Sequence, residues 1–254
     1  MASLPPALSL RQRLTWAAHL FKAIFYQYHR EFAERIAPLV PADGIIVDVG
    51  AHSGQFAKLF SRLVPRGRVY AFEPGAYALS ILRPVAGLRG LRNVEIMPAG
   101  LSDKPGAETL NVPLKRHGTL GFGLAHIGAE LSGRDVVSQE IALTTLDLFA
   151  DEARFPRLDF LKADIEGWEP HFLRGARATI ARFRPSVMIE VSPRQLAQSG
   201  SGPEDVFSIF APLGYRIFKT YEHEGYRLHP VDGFDTAADY LFVPGEKAAL
   251  VSVD

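Results

Sequence analysis

Cysteine is absent from this 254-residue chain. Its absence excludes disulfides, thiolate metal sites and cysteine nucleophiles, and it makes a reducing, cytoplasmic setting the default expectation. Net charge is lacking too. The 28 basic residues balance the 28 acidic ones, so the total gives no long-range attraction to phosphate backbones, and a nucleic-acid partner is not expected. Long apolar runs are missing as well. Lys22, Arg30, Glu31, Glu34 and Arg35 interrupt the first apolar region, which falls short of the ~20 apolar positions a spanning helix needs. The opening MASLPPALSLRQRLTW lacks the basic, apolar and small-residue order of a secretory signal. What is abundant is hydrophobic content, 47%, enough for one substantial core and a single main domain.

From about Leu10 to Leu39, apolar residues recur at helical spacing until Pro38 and Pro41 end the pattern. Residues 1–41 therefore read as an amphipathic helical extension of one or two helices. It either covers one edge of the core or serves as a membrane-surface or partner-binding helix. After Pro41, short β-branched runs alternate with helical stretches, the pattern of βαβ units around a mostly parallel sheet. Strands are predicted at Ile45–Val49, Arg68–Phe72, Val94–Pro98, Leu158–Ala163, Ser186–Val191, Tyr215–Lys219 and Tyr240–Val243. Helices are predicted at Gln55–Leu63, Ala76–Val85, Pro170–Ala181 and Pro203–Ala211. The domain is thus expected to span residues 42–254, with an irregular insertion or functional loop around 110–140, where Gly and His are frequent.

The segment Ile45–Gly54 (IIVDVGAHSG) is a buried strand running into a glycine turn and then a helix. Gly50 and Gly54 let the backbone approach a ligand, and the helix start presents free N–H groups. The spacing differs from GxGxxG, and Asp48 at the strand end would repel a pyrophosphate but suit an ammonium, which favours a methionine-type cofactor over NAD. The next strand ends in Tyr70-Ala-Phe-Glu73-Pro74. It places a carboxylate 19 residues after Gly54, where it would accept both hydroxyls of a ribose. The third strand leads into Ala99-Gly-Leu-Ser-Asp103, either an ordinary turn or the neighbourhood of an adenine ring. In the fourth block, FLKADIEGWE, Lys162, Asp164 and Glu166 stand at alternate positions and are predicted to converge on one side, the catalytic candidates. The alternative is an ion pair that anchors the loop. Glu190, at the end of the fifth strand, would bind substrate hydroxyls, cap a helix, or join Asp164 in holding a divalent cation such as Mg²⁺.

Taken in order, DVGAHSGQF, AFEP, NVEIMPAGLSD, LTTLDLF, LDFLKADIEGWEPHFLRGA and PSVMIEV, over Ile45–Val191, resemble the FkbM family of S-adenosylmethionine-dependent methyltransferases. The resemblance implies a Rossmann-like class I methyltransferase with a seven-stranded, mostly parallel sheet, helices on both faces and an antiparallel last strand. It implies O-methylation of a sugar, glycolipid, polyketide or related metabolite. Asp48, Gly50, His52, Ser53 and Gly54 would then surround the amino-acid end of S-adenosylmethionine. Glu73 would hold its ribose, and Leu101 and Ser102 would line the adenine pocket. His52 stands where relatives carry Asn.

A sulfonium methyl leaves from a neutral thioether, so the work of catalysis lies at the acceptor, where a positioned base contributes roughly 10²–10⁴ in rate. Asp164, then Glu166, is the expected base or metal ligand, with Lys162 orienting or neutralising them. His117 and His126, in the insertion, are candidate substrate contacts, and His171 is held in reserve. A homodimer is expected only on frequency. Two other readings stay open. One is a non-catalytic module that binds S-adenosylmethionine or a partner; the other is a nicotinamide-dependent oxidoreductase, which the missing GxGxxG disfavours.

Overall fold

A computed structural model describes residues 10–113, 126–128 and 136–252. Five parallel strands form the heart of the main sheet: β1 (Ile45–Val49), β2 (Arg68–Phe72), β3 (Val94–Met97), β8 (Phe160–Ala163) and β9 (Ser186–Val191). Strand β1 is buried throughout, as expected of a strand covered on both faces, and its neighbours are β2 on one side and β8 on the other. The strand order therefore reverses at β1, and a crevice opens at the C-terminal edge there.

Beyond β9 the sheet continues through β12 (Ala238–Pro244), β10 (Tyr215–Thr220) and β11 (His229–Val231). Strand β12 is inserted antiparallel between β9 and β10, the reversal that the family resemblance implies. The sheet has eight strands rather than the seven expected. The extra one, β11, is three residues long and pairs only with β10, and its His-Pro-Val gives no alternating pattern to read.

Helices α3 (Gln55–Leu63) and α4 (Ala76–Leu88) follow β1 and β2, as expected, while the predicted helix over Pro170–Ala181 is broken into α6 (Glu169–Arg174) and α7 (Arg177–Phe183). Gly175 is the cause. A Cβ there would lie 2.0 Å from the Ser102 carbonyl, so the break lets the chain pass against the Ser102–Asp103 loop. Helix α9 (Pro203–Phe210) covers the sheet farther on, with Phe210 stacked on Phe242 at 4.0 Å.

The stretch expected to be irregular supplies strands. β4 (Gly100–Leu101), β5 (Gly106–Pro113), β6 (His126–Ile127) and β7 (Val136–Thr144) form a second sheet in the order β4-β7-β5-β6. It begins ten residues earlier than 110, and β5 and β7 pair along their whole length, from Gly106↔Leu143 to Pro113↔Val136.

The N-terminal region forms α1 (Leu10–Phe25) and α2 (Arg30–Ile36). One face of α1, with Trp16, Leu20, Ala23 and Ile24, packs on Tyr77, Ile81 and Val85 of α4. The Lys58 ammonium, on α3 and 1% exposed, donates to the Ala23 and Tyr26 carbonyls at 2.5 and 2.6 Å and so caps the end of α1. Among the described residues no helix is long and apolar enough to cross a membrane.

Candidate active site

A cleft of about 830 Å³ lies at the C-terminal edge of the main sheet where the strand order reverses. Its floor comes from the ends of β1, β2 and β8; one wall is the small sheet, and the rim includes His29 between α1 and α2.

The turn after β1 is fixed by two glycines. Gly50 has φ +79°, and a Cβ there would sit 2.1 Å from the Asp164 carbonyl; Gly54 has φ +86°, with Leu82 Cδ1 at 2.6 Å. Larger residues are thus shut out by conformation and by space together. Gly50, His52 and Ser53 line the cleft, whereas Gly54 is buried behind it as the cap of α3. His52 is itself left-handed at φ 49°, a region that Asn and His enter more readily than most residues, which explains why His can replace Asn there.

Glu73 lies 8% exposed in the cleft, accepting the His52 amide at 2.8 Å and the Gly75 amide at 2.8 Å. Burial pushes its carboxyl up to about 7 against those two hydrogen bonds. It is therefore both a cap for the loop before α4 and a buried acceptor facing the cavity.

Lys162 and Asp164 meet at 3.3 Å, with the ammonium 4.7 Å from the Phe56 ring. Burial opposes the Lys162 charge, but Asp164 and Asp48 outweigh it and raise its pKa. Burial likewise opposes the Asp164 charge; Lys162 and a hydrogen bond from Glu190 prevail and hold Asp164 low. Glu190 is pushed up to about 9, by burial first and then by the Asp164 charge, so it carries a proton at neutral pH. Asp239, paired in register with Glu190 across β12 and β9, is pushed up to about 7 by burial. Such a concentration of ionisable groups, gathered where the strand ends meet the cleft, makes this the candidate functional site.

Several expectations are corrected. Asp48 is fully buried beneath the floor, with neither oxygen hydrogen-bonded; burial raises it to about 6, and its register partner is Lys162, so it supports the cluster instead of touching the cavity. The strand ends at Ala163, so the period-two rule stops short of Glu166. That residue turns into the left-handed region at φ 56°, bonds Gln195, and is raised to about 7 by burial, yet still borders the cleft. Leu101 and Ser102 do not line the cleft: Leu101 joins the main core, and Ser102 accepts Trp168 Nε1 at 3.3 Å. On β6 the alternation turns Ile127, not His126, to the cavity. His171 stacks on Trp168 at 3.9 Å, and His117 lies outside the described residues.

The divalent cation fares no better. Among the described residues no group of three His, Cys, Asp or Glu is arranged to hold a metal. The reason is visible in the pair proposed for it: Asp164 is engaged by the Lys162 ammonium at 3.3 Å, a cation already at the place the metal would take, and among the described residues no third ligand completes the set. These residues do not fit a metal ion.

Three contributors carried no sequence signal. His29 stacks on Phe56 at 4.6 Å and contacts the Tyr226 hydroxyl at 2.5 Å; burial lowers its pKa, favouring a neutral ring. Gln139, on β7, accepts the Ala76 amide at 3.0 Å and donates to the Pro74 carbonyl at 2.9 Å, tying the small sheet to the Glu73 loop. Asp239 sits just before the predicted last strand, Tyr240–Val243, whose observed start is two residues earlier, at Ala238.

A Rossmann-like sheet whose strand order reverses over a glycine turn, followed by an acidic residue at the end of β2, defines an enzyme fold built to bind a nucleoside cofactor. The Methyltransferase FkbM domain matches residues 48–217, and the chain belongs to that family. It is 26% identical over 183 residues to Methyltransferase sdnD of Sordaria araneosa, covering 63% of this chain and 68% of the relative. It is 24% identical over 206 residues to 2-O-methyltransferase NoeI of Sinorhizobium fredii, covering 74% and 79%. The crystal structure of Methyltransferase FkbM from Methylobacillus flagellatus superposes with a TM-score of 0.52 at 15% identity, over 91% of this chain and 59% of that one, a likeness of fold.

Proposed function

We propose that this enzyme transfers the methyl group of S-adenosylmethionine to a hydroxyl oxygen of a small acceptor, a sugar, glycolipid, polyketide or related metabolite. The observation that carries the reading is that one cleft holds both the Gly50 turn with Glu73 and the Lys162–Asp164 pair. The name of one relative, a 2-O-methyltransferase, supports oxygen as the target atom.

Glu73 would hold the ribose hydroxyls, and the turn from Gly50 to Ser53 with the start of α3 would hold the amino-acid end. When bound, S-adenosylmethionine supplies an electrophilic methyl whose leaving group needs no protonation. The apolar cleft residues Pro74, Pro98, Leu110 and Ile141 would take the adenine in place of Leu101 and Ser102. Asp164, kept ionised by Lys162, accepts the proton of the acceptor hydroxyl as the new O–C bond forms. Protonated Glu190 holds the Asp164 carboxylate in place, and Glu166 borders the acceptor with His29.

The test is transfer of radiolabel from S-adenosylmethionine to a panel of hydroxylated, amino and carboxyl acceptors, with and without a strong chelator. Label recovered as a methyl ether on an acceptor hydroxyl oxygen, surviving chelation, is expected. Exclusive labelling of amines or carboxylates would overturn the oxygen assignment.

A further inference from the structure

We propose that the outer face of α1 is a docking surface for an anionic lipid bilayer. The helix is apolar on two opposite sides. Its inner side is fastened to α4 through Trp16, Leu20, Ala23 and Ile24, by Trp16 Nε1 donating to Ser80 at 2.9 Å and by the Lys58 cap. Its outer side presents Leu14, Phe21 and Phe25 at 65%, 54% and 66% exposure, with Phe21 and Phe25 4.7 Å apart. Spacings of seven and four residues place all three on one stripe. Leu88, at the end of α4, is 70% exposed. A helix packed on one face normally turns polar side chains outward, which the Leu14–Phe21–Phe25 stripe does not.

Charge selects what covers it. Residues 10–30 and 74–94 contain no Asp or Glu, yet they carry Arg11, Arg13, Lys22, Arg30, Arg83, Arg89 and Arg92. In a chain whose charges cancel overall, the α1–α4 pair is thus a wholly cationic surface studded with large apolar side chains. A second copy of the same face would bring like charge against like. Exposed Leu and Phe gain little from a nucleic-acid backbone, whereas an anionic bilayer offers negative charge at its surface and hydrocarbon just below. Tyr26 and Tyr28, exposed and stacked at 6.4 Å, continue the stripe towards His29 on the cleft rim, with amphipathic rings suited to a lipid headgroup layer. That docking would bring the bilayer beside an acceptor cleft rests on the proposed function; the docking itself does not.

The test is co-sedimentation of the full chain with phosphatidylcholine vesicles and with phosphatidylcholine–phosphatidylglycerol vesicles, without cofactor or acceptor. Expected is binding at least tenfold tighter to the anionic vesicles, weakened by salt, and reduced at least tenfold in Phe21→Ser/Phe25→Ser. A second variant, Arg13→Glu/Lys22→Glu, leaves the apolar stripe intact and is expected to lose the preference for anionic vesicles. Failure of the wild-type chain to bind either vesicle overturns the proposal, as does unchanged binding by the charge-reversed variant. A dimer in sizing chromatography that the Phe variant abolishes, or retention on an oligonucleotide, in either case without vesicle binding, assigns the face to another partner and overturns it too.

Discussion

The floor and the wall of the cleft are built on different principles. The floor is backbone: parallel strands end together, two left-handed glycines bend the chain, and the buried ionisable side chains Glu73 and Lys162 stand at the strand ends. The wall is side chain, with Leu110, Val112 and Ile141 of an antiparallel ribbon facing the cavity and Gln139 fastening the ribbon to the Glu73 loop. A floor set by forbidden space tolerates almost no substitution, so it suits the invariant cofactor. A wall set by apolar packing can be recut at modest cost, so it suits whatever acceptor the enzyme serves.

That contrast breaks most sharply at Gly50. Gly50→Ala forces a Cβ into the Asp164 carbonyl at positive φ; we expect loss of S-adenosylhomocysteine binding by calorimetry and a stability loss of about 2 kcal/mol or more by thermal unfolding. Asp164→Asn should leave that affinity within a few-fold while turnover falls roughly 10²–10⁴. Undiminished turnover there would remove Asp164 as the base.

Glu73→Gln should weaken S-adenosylhomocysteine about tenfold or more, the scale of a hydrogen bond to a charged acceptor. It also tests the sign of a pH effect. Burial places the Glu73 carboxyl at about 7 in the cofactor-free protein, so its acceptor oxygens become fully available only as pH rises through 7. Wild-type affinity should therefore climb between pH 6 and 8, and the Gln variant should be flat across that window. Gln139→Ala is the mildest change. It removes two hydrogen bonds between wall and floor, and about 1–2 kcal/mol of stability with a few-fold rise in acceptor KM is expected. A loss as large as that at Gly50 would erase the distinction between wall and floor.

The same division decides how much could be read in the sequence. β1, β2, β9 and α3 were predicted to the residue, because apolar runs, glycine turns and helix periods are local signals. The ribbon was not. β5 reads Gly-Ala-Glu-Thr-Leu-Asn-Val-Pro, whose stability comes from pairing with a strand thirty residues away. Site residues followed the rule: Gly50, Glu73, Lys162 and Asp164 belong to motifs and reached the cleft. His29, Gln139 and Asp239 arrive by tertiary packing alone. Asp48 and Glu166 show the limit of motif reasoning, since a residue type at the right spacing fixes neither its depth nor the turn that carries it.

The Lys58 ammonium has a thermodynamic corollary. It stands on the helix that follows the Gly50–Gly54 turn, proposed to hold cofactor, and it holds the carbonyl end of α1, while Gln55 at the start of that helix accepts the Tyr28 amide. Ligand at the turn and order in the first helix are thus joined through one short rigid element. Reciprocity then applies: whatever factor by which bound cofactor changes the capture of α1 by an outside surface, that capture must change cofactor affinity by the same factor.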